Sequence, residues 1–173
     1  MDHSKKPMKE NNYAFQDLIH QEKNKLYRMA YLYVKNENDA LDIVQETIYK
    51  AYRSKDKLKN TEYFSTWLTR ILINNALNFI KKNRNVVPFD EKEMEKFQES
   101  SEHTSIENHI DLVDAIDCLD ETYKTVIILR YYKDFTIKQI AEVLNCPEGT
   151  VKTNLHRATN QLRSNLREDC FYE

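Results

Sequence analysis

Near its C-terminal end the chain reads "NCPEGTVKTNLHRATNQLR" (145–163), where Lys152, Thr153, Asn154, His156, Arg157 and Asn160 share the polar side of a helical register. None is acidic, and all can bond base edges or phosphate oxygens. A second set, Arg70, Asn74, Asn78 and Lys81, is spaced 4, 4 and 3 residues apart, so a helix aligns it as one stripe. Asn and Arg in such a stripe suit unstacked bases and the phosphates between them. A third set, Asp39, Asp42, Gln45, Glu46, Tyr49 and Arg53, lies mostly off the apolar stripe of its own helix. Taken alone, each set also reads as an ordinary solvated face. Catalytic constellations are missing: there is no Ser/His/Asp set, no paired carboxylates and no Gly-rich phosphate loop, and Gly149 is the only glycine among 173 residues. His20, His103 and His109 have no ligand spacing with Cys118, Cys146 or Cys170, so neither a metal nor another cofactor is expected.

The elements that must carry these sets read as helices. In "YAFQDLIHQEKNKLYRMAYLYVKN" the apolar residues Phe15, Leu18, Ile19, Leu26, Met29, Ala30 and Tyr33 keep to one face. "NENDALDIVQETIYKAYR" offers Asn36 or Asn38 as cap and Leu41, Val44, Ile48 and Ala51 as its inward stripe. "TEYFSTWLTRILINNALNFIKKNR" turns Phe64, Trp67, Leu68, Ile71, Leu72 and Leu77 inward, which places the Arg70–Lys81 stripe opposite the Trp67 face. With one Gly and three Pro, a β-rich fold of many tight turns is excluded. The expected fold is all-α: two small helical domains, 13–83 and 109–167, joined by an acidic flexible linker over 84–108.

Charge is unevenly spread. The net charge is −2, yet residues 89–121 hold 12 acidic and only 2 basic residues, between two basic blocks. No apolar run approaches the ~20 residues of a membrane span. The N-terminus lacks the apolar core of a secretory signal, and the odd, unpaired cysteines fit a reducing cytoplasm. Cys118 sits near an apolar face and is expected to be buried.

The C-terminal half carries a helix-turn-helix pattern. Thr136 with Gln139 reads as a capping box, Ile140, Ala141 and Leu144 as the inward face of a short helix, and Asn145 as a left-handed turn residue. Pro147 suits the first position of the next helix, whose inward stripe is Val151, Leu155, Ala158 and Leu162. In such a motif the second helix enters the major groove by its N-terminus. Gly149 falls in its first turn, where the missing Cβ lets the backbone approach a phosphate or the preceding helix.

The string "TVIILRYYKDFTIKQIAEVLNCPEGTVKTNLHRATNQLR" resembles region 4 of bacterial extracytoplasmic-function (ECF) sigma factors. "NDALDIVQETIYKAYR" resembles their region 2.2, and "FSTWLTRILINNALNFIKKNR" their regions 2.3 and 2.4. Order and separation match over roughly residues 13–167. The resemblance implies a factor that binds core RNA polymerase, recognises −35 and −10 promoter elements and opens the duplex. It implies docking on the β′ clamp helices, with further contact to the β subunit, through Asp39, Asp42, Gln45, Glu46 and Tyr49; acidic groups beside Gln are apt for a basic helical partner. It places Asn60 and Tyr63 in the loop forming the pocket for a −10 base, with Arg70, Asn74, Asn78 and Lys81 following the strand. For the −35 element it implies Lys152, Thr153, Asn154, His156 and Arg157, with Glu148, Gly149 and Thr150 at the helix start. Many relatives carry Arg where this chain has Asn154. Extruding a base costs a few kcal/mol, met by binding, so the resemblance implies no active site in this chain. It further implies control by an anti-sigma factor, generally membrane-anchored, and cell-envelope stress genes as targets. The chain itself is then cytoplasmic, held at the inner face of the membrane only through that inhibitor and not inserted. The competing reading is a stand-alone helix-turn-helix repressor, which would leave the Asp42/Gln45/Glu46 face and the Asn74/Asn78 stripe without a role; an adaptor without DNA function is a further alternative.

Overall fold

The computed structural model describes residues 12–85 and 110–169. Seven helices follow in order among them: α1 (Asn12–Val34), α2 (Glu37–Ser54), α3 (Phe64–Asn85), α4 (Ile110–Asp117), α5 (Glu121–Ile127), α6 (Ile137–Leu144) and α7 (Glu148–Asp169). Short 3-10 turns at Lys55–Lys57 and Thr61–Tyr63 link α2 to α3, and α5 runs on into a π-helical turn at Ile128–Tyr132. There is no strand among the described residues. The linker expected over 84–108 falls almost wholly outside them, as do His103, His109 and Cys170.

Helices α1, α2 and α3 close around Phe15, Leu26, Met29, Ala40, Val44, Ala51, Phe64, Leu68 and Leu72. Phe15 is the centre, its ring edge-on to Tyr52 at 5.1 Å, Phe64 at 5.7 Å and Trp67 at 6.3 Å. Asn36 is the cap of α2, its Oδ1 accepting from the Asp39 amide at 3.0 Å. The inward stripe of α2 is not quite the one expected. Ala40, Ile43, Val44, Thr47 and Ala51 are buried, Ile48 is only half-buried, and Leu41 is 45% exposed. The buried face of α2 is turned by one residue at its start, so that the small Ala40 and not Leu41 enters the core.

Helices α4 to α7 pack around Leu119, Val126, Leu129, Phe135, Ile140, Ala141, Val151, Ala158 and Leu162. The helix-turn-helix forms as expected. Thr136 and Gln139 make a reciprocal capping box, and Asn145 closes α6 in the left-handed conformation at φ 53°. Pro147 stands one place before α7 rather than at its first position, and as its cap residue its carbonyl accepts from the Thr150 and Val151 amides. Cys118 is exposed rather than buried, and Leu119 next to it takes the place in the core.

The two bundles share a wall. Ile73 of α3 belongs to the C-terminal core, Ile128 belongs to the N-terminal one, and Leu77 touches both. Polar groups run along the seam: Tyr33 Oη donates to Thr125 Oγ1 at 2.9 Å, Lys35 pairs with Asp117 at 2.7 Å, and Lys133 with Glu22 at 2.8 Å. Burial pushes the Tyr33 phenol well above its ordinary value. For Glu22 burial alone would raise the carboxyl, but Lys133 and Lys25 outweigh it and hold it below its usual 4.5. A carboxyl lowered in the folded state stabilises above its unfolded pKa and loses that contribution as pH falls through the folded value. The seam is therefore expected to loosen in acid, below about pH 4.5. Lys133→Met removes the partner of Glu22 across the seam, leaving it only Lys25 of its own helix, and should weaken the seam by about 1–3 kcal/mol at neutral pH. Small-angle scattering reads both effects as a larger radius of gyration; an unchanged radius for the variant at neutral pH would show that the ion pair does not hold the bundles.

Candidate nucleic-acid interface

Two grooves bring the polar sets together. The first, of about 730 Å³ between α2 and α3, has Asp42, Gln45, Glu46 and Tyr49 on one side and Asn78 and Lys82 on the other. Glu46 pairs with Lys50 at 3.2 Å, and Tyr49, 55% exposed, lies under the Arg53 guanidinium at 5.6 Å. Asp39 stands at the N-terminal turn of α2, where its amide is spent on the Asn36 cap. Asp42, Gln45, Glu46 and Tyr49 thus line one groove, and Asp39 stands apart from it at the start of the helix.

Arg70, Asn74, Asn78 and Lys81 are all exposed along α3. The stripe is not opposite Trp67, however. Tyr63, Thr66, Trp67 and Arg70 line one small groove together with Glu142 and Val143 of α6. Residues three apart are neighbours on a helix, which makes Arg70 the flank of the Trp67 face. Trp67 itself packs on the Phe15 and Phe64 rings, as a core residue. Tyr63 stands 55% exposed at the end of the 3-10 turn, its ring free to stack. Asn60 caps that turn, its Oδ1 accepting from the Glu62 amide at 2.9 Å and its Nδ2 donating to the Glu62 carboxylate at 3.0 Å. Its side chain is engaged locally.

On α7, Lys152, Thr153, His156 and Arg157 are exposed, as are Glu148, Gly149 and Thr150 at its start. The Thr153 hydroxyl donates to the Gly149 carbonyl at 2.9 Å. Nothing lies within 4 Å of the place a Cβ would occupy on Gly149. The close approach to α6 anticipated for this glycine does not occur, and what remains is an open helix N-terminus facing outward. Asn154 departs from the expected face. It is half-buried and lines a second groove, of about 520 Å³, with Leu77, Asn78, Lys81, Thr125, Cys146 and Thr150. Thr150 and Asn154 of α7 therefore face Asn78 and Lys81 of α3 across one cleft. A sequence pattern assigns Asn154 to the polar side of α7; the neighbouring bundle turns that side inward.

Asn75 belongs to none of the polar stripes. It is 6% exposed at the floor of the first groove, where Lys50 Nζ donates to its Oδ1 at 2.6 Å and its Nδ2 donates to Thr47 Oγ1 at 3.0 Å. The signal for it in the sequence is two polar residues, Thr47 and Asn75, each set within the apolar face of a helix. Among the described residues no group of three or more His, Cys, Asp or Glu side chains is placed to hold a metal ion, and no helix is long and apolar enough to cross a membrane.

Known proteins share both the sequence pattern and this geometry. The "Sigma-70 region 2" family matches residues 18–86, and "Sigma-70, region 4" matches residues 109–162. RNA polymerase sigma factor SigV of Bacillus subtilis is 38% identical over 147 residues, 85% of this chain and 87% of the relative. ECF RNA polymerase sigma factor SigW of the same organism is 31% identical over 168 residues, 90% of each. Two solved structures share the fold. The sigma factor RpoE in complex with the anti-sigma factor NepR from Bartonella quintana gives a TM-score of 0.70 at 22% identity, covering 89% of this chain and 97% of that one. CnrH in complex with the cytosolic domain of CnrY gives 0.71 at 20% identity, covering 94% of each. Both matched regions, in this order on one chain, are those of sigma factors. The chain belongs to the ECF group of RNA polymerase sigma factors.

Proposed function

We propose that residues 13–83 dock this chain on the core polymerase and capture the −10 strand, and that residues 109–167 read the −35 duplex, with 84–108 as the tether. Asp39, Asp42, Gln45, Glu46 and Tyr49 are the docking residues, against basic side chains of the β′ clamp helices. Asn60, Tyr63, Arg70, Asn74, Asn78 and Lys81 receive the −10 strand. Lys152, Thr153, His156 and Arg157, with the Glu148–Thr150 turn, contact the −35 element, and Asn154 joins them only once the cleft to α3 has opened. The observation that carries this reading is the first groove, because one pair of helices presents Glu46 and Asn78 on facing walls. Docking the polymerase therefore places the strand-binding stripe beside the enzyme that must use the strand. The chain contributes no catalytic residue; phosphoryl transfer belongs to the polymerase.

The second cleft gives the reading a conformational consequence. Asn78 and Lys81 share it with Thr150 and Asn154, so the two bundles must part before both promoter elements are engaged. An anti-sigma factor is the regulatory partner expected for this chain, as in the RpoE–NepR complex, and envelope-stress genes are the expected targets. A stand-alone repressor finds no support among these relatives.

Run-off transcription on a promoter library, with purified core polymerase plus and minus this protein, tests the proposal. Promoter-specific transcripts that need the protein support it; tight duplex binding by the protein alone, with no specificity conferred on the polymerase, would replace it with the repressor. Within that assay Arg157→Ala is expected to weaken holoenzyme binding by about 5- to 150-fold on promoters with an intact −35 element, the ~1–3 kcal/mol of one guanidinium-to-guanine pair. If Arg157 holds only phosphate, the loss is smaller, equal across sequences, and the salt dependence falls by about one charge.

A further inference from the structure

We propose that Asn75, held by Lys50 and Thr47, is a positioning residue that sets the rotation of the strand-binding stripe on α3 relative to the docking face on α2. The inference rests on the promoter-binding reading above and assigns a role to a side chain outside its contact residues. Every polar atom in this bridge is committed in one direction. Lys50 can only donate, so the Asn75 oxygen must face it, at 2.6 Å. The Thr47 hydroxyl proton is spent on the Ile43 carbonyl at 2.7 Å, so Thr47 can only accept from the Asn75 amide, at 3.0 Å. A flipped amide would break both bonds. Thr47 is fully buried and Asn75 nearly so, which makes an unmade bond costly and holds the orientation.

That orientation sets what matters on the outside of α3. Asn74 precedes Asn75 directly and Asn78 follows one turn later, so the two exposed amides flank the anchored one. On a helix about 10–12 Å across, a rotation of roughly 20° moves a side-chain tip by about 2 Å. Such a shift takes a hydrogen bond to a captured base out of range. Apolar packing on Leu68, Leu72 and Ala76 tolerates small rotations; two opposed hydrogen bonds do not. The bridge also reaches the docking face, since Lys50 pairs with Glu46 at 3.2 Å.

The test compares the full chain with Thr47→Val/Asn75→Leu and, separately, Lys50→Met, each bound to core polymerase. The probe is a single-stranded oligonucleotide carrying the −10 element selected by the transcription assay. The paired variant replaces both partners with apolar groups of similar shape, which is close to neutral for stability. Its melting temperature and its Kd for core polymerase are expected to stay within a few degrees and about twofold, while oligonucleotide affinity falls about tenfold. The slope of log affinity against log salt should not change, because no phosphate contact is removed. An oligonucleotide affinity within twofold of wild type overturns the inference, as does a parallel fall in melting temperature, core affinity and strand affinity. If the paired variant does not fold, half-exposed Lys50 decides: Lys50→Met should cost about threefold with an unchanged slope, and no loss, or a loss with a shallower slope, overturns the positioning role. Wild-type holoenzyme that shows no sequence-specific binding of the oligonucleotide instead removes the promoter reading, and the inference with it.

Discussion

Asn74→Ala/Asn78→Ala is expected to lower promoter-specific run-off transcription about 100-fold while leaving the melting temperature of the protein almost unchanged. Both side chains are exposed on α3, and no hydrogen bond within the described residues depends on either, so the fold loses little. Each amide offers a donor and an acceptor to a base that has left its stack. Losses of about 1–3 kcal/mol at each position add, so their fold-changes multiply, and about 100-fold lies near the lower end of the combined range. Core polymerase affinity, read by a fluorescence titration, should stay within twofold, since the docking residues proposed on α2 are untouched. Equal transcription by wild type and variant would remove α3 from promoter opening. A drop in core affinity matching the drop in transcription would move these residues to the docking surface instead.

Phe15→Ala should be the most destabilising single truncation in the N-terminal bundle, by about 3–5 kcal/mol. The ring is 1% exposed and stands against Tyr52, Phe64 and Trp67 together, so removing it opens a cavity touching all three helices. At about 4–8 °C per kcal/mol for a domain of this size, the melting temperature should fall by roughly 12–40 °C in a calorimetric scan. Strand binding and core docking should fail together above that temperature, unlike the selective loss expected from the Asn pair. A drop of only a few degrees would mean that Tyr52 and Trp67 collapse into the space, and that the three-helix core is more plastic than its packing indicates.

Much of this molecule is legible in its amino-acid order. The Asn36 cap, the Thr136–Gln139 capping box and the left-handed Asn145 are readable because each is a contract between residues at most five apart. The inward stripe of α1, from Phe15 to Tyr33, is readable because helical periodicity aligns it without reference to a partner. The polar faces of α2, α3 and α7 show in the same way, as patterns. Pattern and structure part where a residue's surroundings come from another element. Periodicity points Leu41 inward, yet it is exposed and Ala40 is buried, a choice that depends on how α2 is rotated against its neighbours. Arg70 lies beside Trp67, as a spacing of three on a helix requires, and what the spacing leaves out is the groove that Glu142 and Val143 of α6 complete there. Cys118 follows an apolar segment but stands outside, while Leu119 beside it is the residue that packs into the core of the C-terminal bundle.

What is written locally in this chain is its helical segments, several of their caps, the helix-turn-helix, and three polar sets of the right chemistry for a polymerase, a single strand and a duplex. These depend on backbone geometry that repeats every 3.6 residues and on hydrogen bonds closed within a turn or two. Which of those sets meet is settled by the packing of the helices: Glu46 opposite Asn78 in one groove, Asn78 opposite Asn154 in another, Ile73 in the core of the other bundle. The same packing joins Thr47 and Lys50 to Asn75, 28 and 25 residues away across the α2–α3 contact. Such contacts depend on the distance and angle at which helices cross, set by the summed volumes of many side chains rather than by any local pattern.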